Sequence, residues 1–100
     1  MSTTNPLQGR AEGPELRKAA GRYVRECRER AGLTQLELSK RLGLDYYTLI
    51  SQVELGKTRV PPERMKEWAE HLNVPPKAFA ERLLQNYDPF TWSLLFGTEH

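Results

Sequence analysis

The side chains best suited to chemistry in this sequence lie between residues 46 and 59. If residues 46–55 form a helix, Tyr47, Thr48, Ser51, Gln52 and Leu55 share one side of it. That side carries hydroxyls and an amide, and no carboxylate. Such groups suit the reading of base edges. The Gln52 amide can pair bidentately with N6 and N7 of adenine, Thr48 and Ser51 can donate or accept, and the Tyr47 ring can touch a thymine methyl. Lys57 and Arg59 follow at once, in a loop where cations can meet a phosphate backbone. Gln35, at the start of an earlier helix, can hold a phosphate with its side chain and the helix N-terminus.

Catalytic chemistry finds no comparable set. The acidic residues are scattered, each near a Lys or Arg, so no isolated carboxylate pair points to acid–base work. Glu67 and His71 lie four apart on one helix and lack a third metal ligand, which leaves a solvated pair. Gly-x-Ser-x-Gly, the Walker loop and Gly-x-Gly-x-x-Gly do not occur. One cysteine, Cys27, and two histidines make neither a zinc finger nor a Cys–His nucleophile. The expectation is a binding protein rather than an enzyme, with no cofactor and no metal.

A chain of 100 residues with 38% hydrophobic and 28% charged side chains builds one small domain under a solvated surface. No apolar run is long enough to cross a membrane, and residues 1–6 lack the apolar stretch of a secretory signal. A lone cysteine fits a reducing compartment, so a cytoplasmic location is expected. The net charge of +2 is uneven. Residues 1–32 hold seven basic against four acidic side chains, and residues 62–100 hold four against six. The N-terminal two thirds therefore suit a polyanion better than the rest.

Five helices are expected to position these groups. Residues 1–14, rich in Ser, Thr, Gly and Pro, read as a flexible tail. In 15–31 an apolar stripe of Leu16, Ala20, Tyr23, Val24, Cys27 and Ala31 recurs at helical spacing before Gly32. Residues 34–42 open with a capping box, Thr34-Gln35-Leu36-Glu37, and bury Leu38 and Leu42. Asp45 is the expected N-cap of 46–55, whose core side holds Tyr46, Leu49, Ile50 and Val53. Pro62 can open a fourth helix with Met65, Trp68, Ala69 and Leu72 inward, ending at Asn73. Pro75-Pro76 opens a fifth over 76–87, and Pro89 stops it. The reading is an all-α, compact five-helix domain over 15–87, followed by an apolar extension over 88–100.

Two short helices joined by Gly43-Leu44-Asp45 make a helix-turn-helix by geometry. The residues add more. Gly32-Leu33-Thr34-Gln35, then Leu42-Gly43, then Ile50-Ser51-x-x-Glu54-x-Gly56-Lys57, then 67–75 resemble, in order, the landmarks of the Cro and phage-repressor type helix-turn-helix family, also called XRE. The resemblance covers about residues 16–84. It implies a lambda-repressor-like domain that binds double-stranded DNA as a homodimeric transcriptional regulator, most simply a repressor that occupies promoter DNA. It also implies a partly buried ion pair between Arg28 and Glu54, tying the recognition helix to the first helix.

The turn departs from the family spacing. Gly43 to Ile50 is seven positions where the family has six. Counted back from Glu54, the base-reading positions fall on Tyr47, Thr48 and Gln52. Counted forward from Gly43, the first two fall on Tyr46 and Tyr47. The helical wheel favours the backward count, because it turns Tyr46 to the core. Leu55 stands where family members often carry a polar, phosphate-binding residue. Two other readings of the same fold stay open: an antitoxin that binds a toxin and represses its own operon, and a protein-interaction module. Phe90, Trp92, Leu95 and Phe96 in the extension can cap the core or form a dimer interface, and either use buries Trp92.

Overall fold

A computed structural model describes residues 13–97. Its elements are α1 (Gly13–Arg30), α2 (Gln35–Arg41), α3 (Thr48–Glu54), a 3₁₀ turn (Pro62–Arg64) leading into α4 (Met65–His71), α5 (Pro76–Tyr87) and α6 (Pro89–Phe96). Six helices stand where five are expected, and no strand occurs among the described residues.

The apolar stripes converge as helical periodicity requires. Ala20, Val24 and Cys27 of α1 meet Leu38 of α2, Ile50 and Val53 of α3, Trp68 and Ala69 of α4, and Phe79 and Leu83 of α5 in one core. Val60, in the loop after α3, is equally buried. α1 and α5 pack together, and α3 lies against α1. The polar flank of α3 is thereby held at the surface.

Four boundaries differ from the sequence expectation. α1 begins at Gly13, so Gly13 and Pro14 belong to the helix and not to the tail. Pro14 sits in the first turn, where its missing N–H costs nothing. The rest of the expected tail, residues 1–12, lies outside the described residues. The second difference is the start of α3. Its N-cap is Tyr47, which makes no side-chain capping bond, and Asp45 has no capping role. The third is Pro62, which opens a 3₁₀ turn, with the α-helix proper beginning at Met65.

The fourth is the extension, which forms a helix over 89–96, while its residues 98–100 lie outside the described residues. Pro89 ends α5 because it cannot donate to the preceding turn. For the same reason it fits the first turn of α6. The Asp88 carboxylate accepts from the Thr91 backbone N–H at 3.1 Å and from its hydroxyl at 2.6 Å. Those bonds, with Arg59 nearby, hold the Asp88 carboxyl below its ordinary range. α6 packs on α5, yet no residue of it is fully buried. Trp92, expected to be substantially buried, is half-buried beside Phe96, with ring centroids 6.1 Å apart. Phe90, Leu94, Leu95 and Phe96 are exposed.

Candidate nucleic-acid interface

The interface starts with the capping box of α2. The Thr34 hydroxyl accepts from Glu37 N–H at 3.0 Å, and the Glu37 carboxylate accepts from Thr34 N–H at 2.8 Å. The two bonds fix the first turn of α2 and lower the Glu37 pKa from its ordinary value. Ser39 is buried, and its hydroxyl returns to the Leu36 carbonyl at 2.7 Å. α2 ends at Arg41 with Leu42 as its C-cap, Gly43 follows with φ of +71°, and the Leu44 N–H caps the Ser39 carbonyl at 2.8 Å. The chain then runs to Tyr47 before α3 begins.

The additional residue of this turn is taken up in the connection, not in the helix. Tyr46 lies ahead of α3 and is 76% exposed, so it is no core residue. Ile50 and Val53 carry the apolar buried side of α3, with Leu49 partly buried beside them. On the opposite side Thr48 is exposed, Ser51 and Gln52 are half-buried, and Leu55 is exposed at the C-cap. Tyr47, half-exposed, lines a surface groove with Leu33, Thr34, Gln35 and Leu36 of the α2 entrance.

Arg28 and Glu54 anchor α3. Arg28 Nε donates to Glu54 Oε2 at 2.6 Å and Arg28 Nη2 to Oε1 at 3.1 Å, while Nη1 donates to the Leu33 carbonyl at 2.8 Å. The two side chains are only 11% and 4% exposed. This forked geometry is the strong form of the carboxylate–guanidinium contact. Hydrogen bonding to Glu54 raises the Arg28 pKa above its ordinary value, against the opposing effect of burial.

Gln35 joins this network. Its amide nitrogen donates to Glu54 Oε1 at 2.9 Å. The side chain given a phosphate role from the sequence is therefore turned inward, linking the start of α2 to the end of α3. Arg59 is also engaged. Its guanidinium lies 5.3 Å from the Tyr87 ring centroid and donates to the Tyr87 carbonyl at 3.3 Å. Tyr87 holds the same loop through its hydroxyl, which accepts from Val60 N–H at 3.2 Å. Lys57 is exposed, as is Lys40 on α2.

Gly56 is a landmark in the sequence, but the contact it makes is not legible there. Gly56, with φ of +79°, brings the end of α3 against α1, where a Cβ would lie 2.8 Å from the Lys18 backbone. That contact sets the exposed Lys18 beside the α3 terminus that Lys57 follows. The partners are 38 positions apart, and no local pattern announces the approach.

The arrangement is a short helix pinned by its C-terminal end to α1, with an acid-free flank outward and cations following it. The family model of the helix-turn-helix, of the XRE, Cro and lambda-repressor type, matches residues 24–79. The chain belongs to this helix-turn-helix family. The match runs from the middle of α1 into α5 and leaves α6 outside it. No curated protein matches the chain. As a helix-turn-helix protein it is, in general terms, a DNA-binding transcriptional regulator. No helix among its described residues is long and apolar enough to cross a membrane.

Proposed function

We propose that this helix-turn-helix protein binds double-stranded DNA sequence-specifically, with α3 in the major groove, and represses transcription from the cytoplasm by occupying promoter DNA. One observation carries the reading. Inside the network, Arg28, Gln35 and Glu54 spend their polar groups on one another. On the flank of α3, Thr48, Ser51 and Gln52 make no side-chain hydrogen bond among the described residues and retain theirs for a ligand. Gln52 reads adenine, Thr48 and Ser51 supply adaptable hydrogen bonds, and Tyr47 meets a thymine methyl. Lys57 contacts the backbone. Arg59 joins it when it leaves Tyr87, and Gln35 orients α3 instead of holding a phosphate.

Selection from randomised duplexes tests this. A defined site should emerge, and Gln52→Ala should weaken binding to it by roughly 1–3 kcal/mol and flatten the preference at one base pair. Lys57→Ala should weaken all duplexes about equally and reduce the salt slope by about one. No enriched site, or a Gln52→Ala profile identical to the wild type, overturns the reading.

A homodimer fits the same function, since two copies read half-sites about 34 Å apart. Support comes from α6, whose Phe90, Leu94, Leu95 and Phe96 stay exposed while the core closes without them. Sedimentation should show a concentration-dependent dimer that Leu95→Glu converts to a folded monomer. A wild type that is monomeric at every concentration removes the dimer and leaves α6 as a partial cover for α5.

A further inference from the structure

A cavity of about 280 Å³ lies between the loop after α3, the start of α4 and one side of α5. Its walls are apolar: Val60 of the loop, Met65 of α4, and Ala80 and Leu84 of α5. Val60 is fully buried, while Met65, Ala80 and Leu84 are half-buried. At about 30 Å³ per water-sized group, there is room for roughly nine of them. Apolar walls joined by a few polar groups are what small-molecule sites are made of.

The polar groups here select a charge. Asp88 borders the cavity, but its carboxylate is spent on the Thr91 N–H and hydroxyl, and it forms no ion pair among the described residues. A cationic ligand would find that acid already satisfied. Arg59 borders the cavity as well, and it is exposed. Its Nη2 donates to the Tyr87 carbonyl at 3.3 Å, and its Nε and Nη1 have no acceptor among the described residues. A carboxylate would find those donors unspent. Tyr87 joins the cavity to the loop: its ring lies under the Arg59 guanidinium, and its hydroxyl accepts from Val60 N–H at 3.2 Å.

We infer that this cavity binds a small apolar monocarboxylate, whose chain packs on Val60, Met65, Ala80 and Leu84 and whose carboxylate accepts from Arg59. Bound there, the ligand holds Arg59 beside Tyr87 and away from the DNA backbone. Ligand and DNA therefore weaken each other's binding. The effect on DNA rests on the proposed role of Arg59 as a backbone contact, and the ligand site does not.

The probe is hexanoate. 1-Hexanol is its control without the charge, and acetate its control without the chain. Each is titrated at constant ionic strength into the isotope-labelled full chain without DNA. Hexanoate should shift the Val60 and Leu84 amide signals saturably, with a Kd of about a millimolar, as a ligand of so few atoms requires. 1-Hexanol should bind about tenfold more weakly, for want of a charged hydrogen bond. Acetate should give no saturable shift. Ala80→Leu, which fills the cavity, should abolish the hexanoate shifts, and Arg59→Gln should reduce hexanoate to the level of 1-hexanol. No saturable shift overturns the site, as do 1-hexanol binding as tightly as hexanoate or shifts that persist in both variants. Saturating hexanoate should then lower wild-type affinity for the selected duplex about fivefold and leave the weaker binding of Arg59→Gln unchanged. Duplex affinity indifferent to bound hexanoate overturns the coupling. A wild type that binds no duplex overturns the proposed function and the coupling with it, while the titration without DNA still decides the site.

Discussion

Replacing either member of the Arg28–Glu54 pair by alanine should lower folding stability by about 3–5 kcal/mol, because the survivor is left as a buried charge without its partner. The pair is hydrogen-bonded twice at 2.6 and 3.1 Å, with both side chains nearly closed off from water. Replacing both by apolar residues of similar volume, Arg28→Met with Glu54→Leu, should cost less than either single change. The double variant strands no charge, although Gln35 loses its acceptor and the Leu33 carbonyl loses its donor. Urea denaturation of the four proteins measures it. A double variant as unstable as the sum of the singles would show that the two residues act independently.

Gly21→Ala should be comparably damaging, at about 3 kcal/mol, the upper end of what overpacking costs. Gly21 lies in α1 where the end of α3 crosses it. A Cβ there would run into the backbone carbonyls of Val53 and Glu54. Backbone cannot rotate away as a flexible side chain can, so α3 must lift from α1. The same shift pulls Glu54 from Arg28. DNA affinity should therefore fall even at temperatures where Gly21→Ala remains folded. Thermal melts paired with duplex titration check both parts. A Gly21→Ala protein with wild-type stability and affinity would mean that α3 does not need this close seat.

These two sites also show what a linear sequence can reveal. The core stripes of α1, α4 and α5 are legible because burial repeats with the helix: Ala20, Val24 and Cys27, then Trp68 and Ala69, then Phe79 and Leu83. The capping box at Thr34 and Glu37 is legible because its chemistry is confined to four residues. Tyr46 misleads because a helical wheel assigns faces without knowing where the helix begins. α3 starts at Thr48 with no capping side chain to mark it. Pro89 misleads because a residue that stops one helix is equally fit to start the next. The inward turn of Gln35, the engagement of Arg59 by Tyr87, and the seats of Gly21 and Gly56 join positions 19 to 38 apart. Only tertiary packing brings them together. The polar flank of α3 needs no such knowledge, since residue types and helical phase alone define it.

If α3 reads a base edge through Gln52, the most direct measurement replaces the adenines of the selected site, one at a time, with 7-deazaadenine. This removes the N7 acceptor from the major groove and leaves base pairing and the minor groove unchanged. At least one adenine position should lose about fivefold to tenfold in wild-type affinity. Gln52→Ala, already lacking that bond, should lose nothing further there. Wild-type binding indifferent to every substitution, or a loss that persists undiminished in Gln52→Ala, would contradict the assignment of α3 as the base-reading helix and Gln52 as its reader.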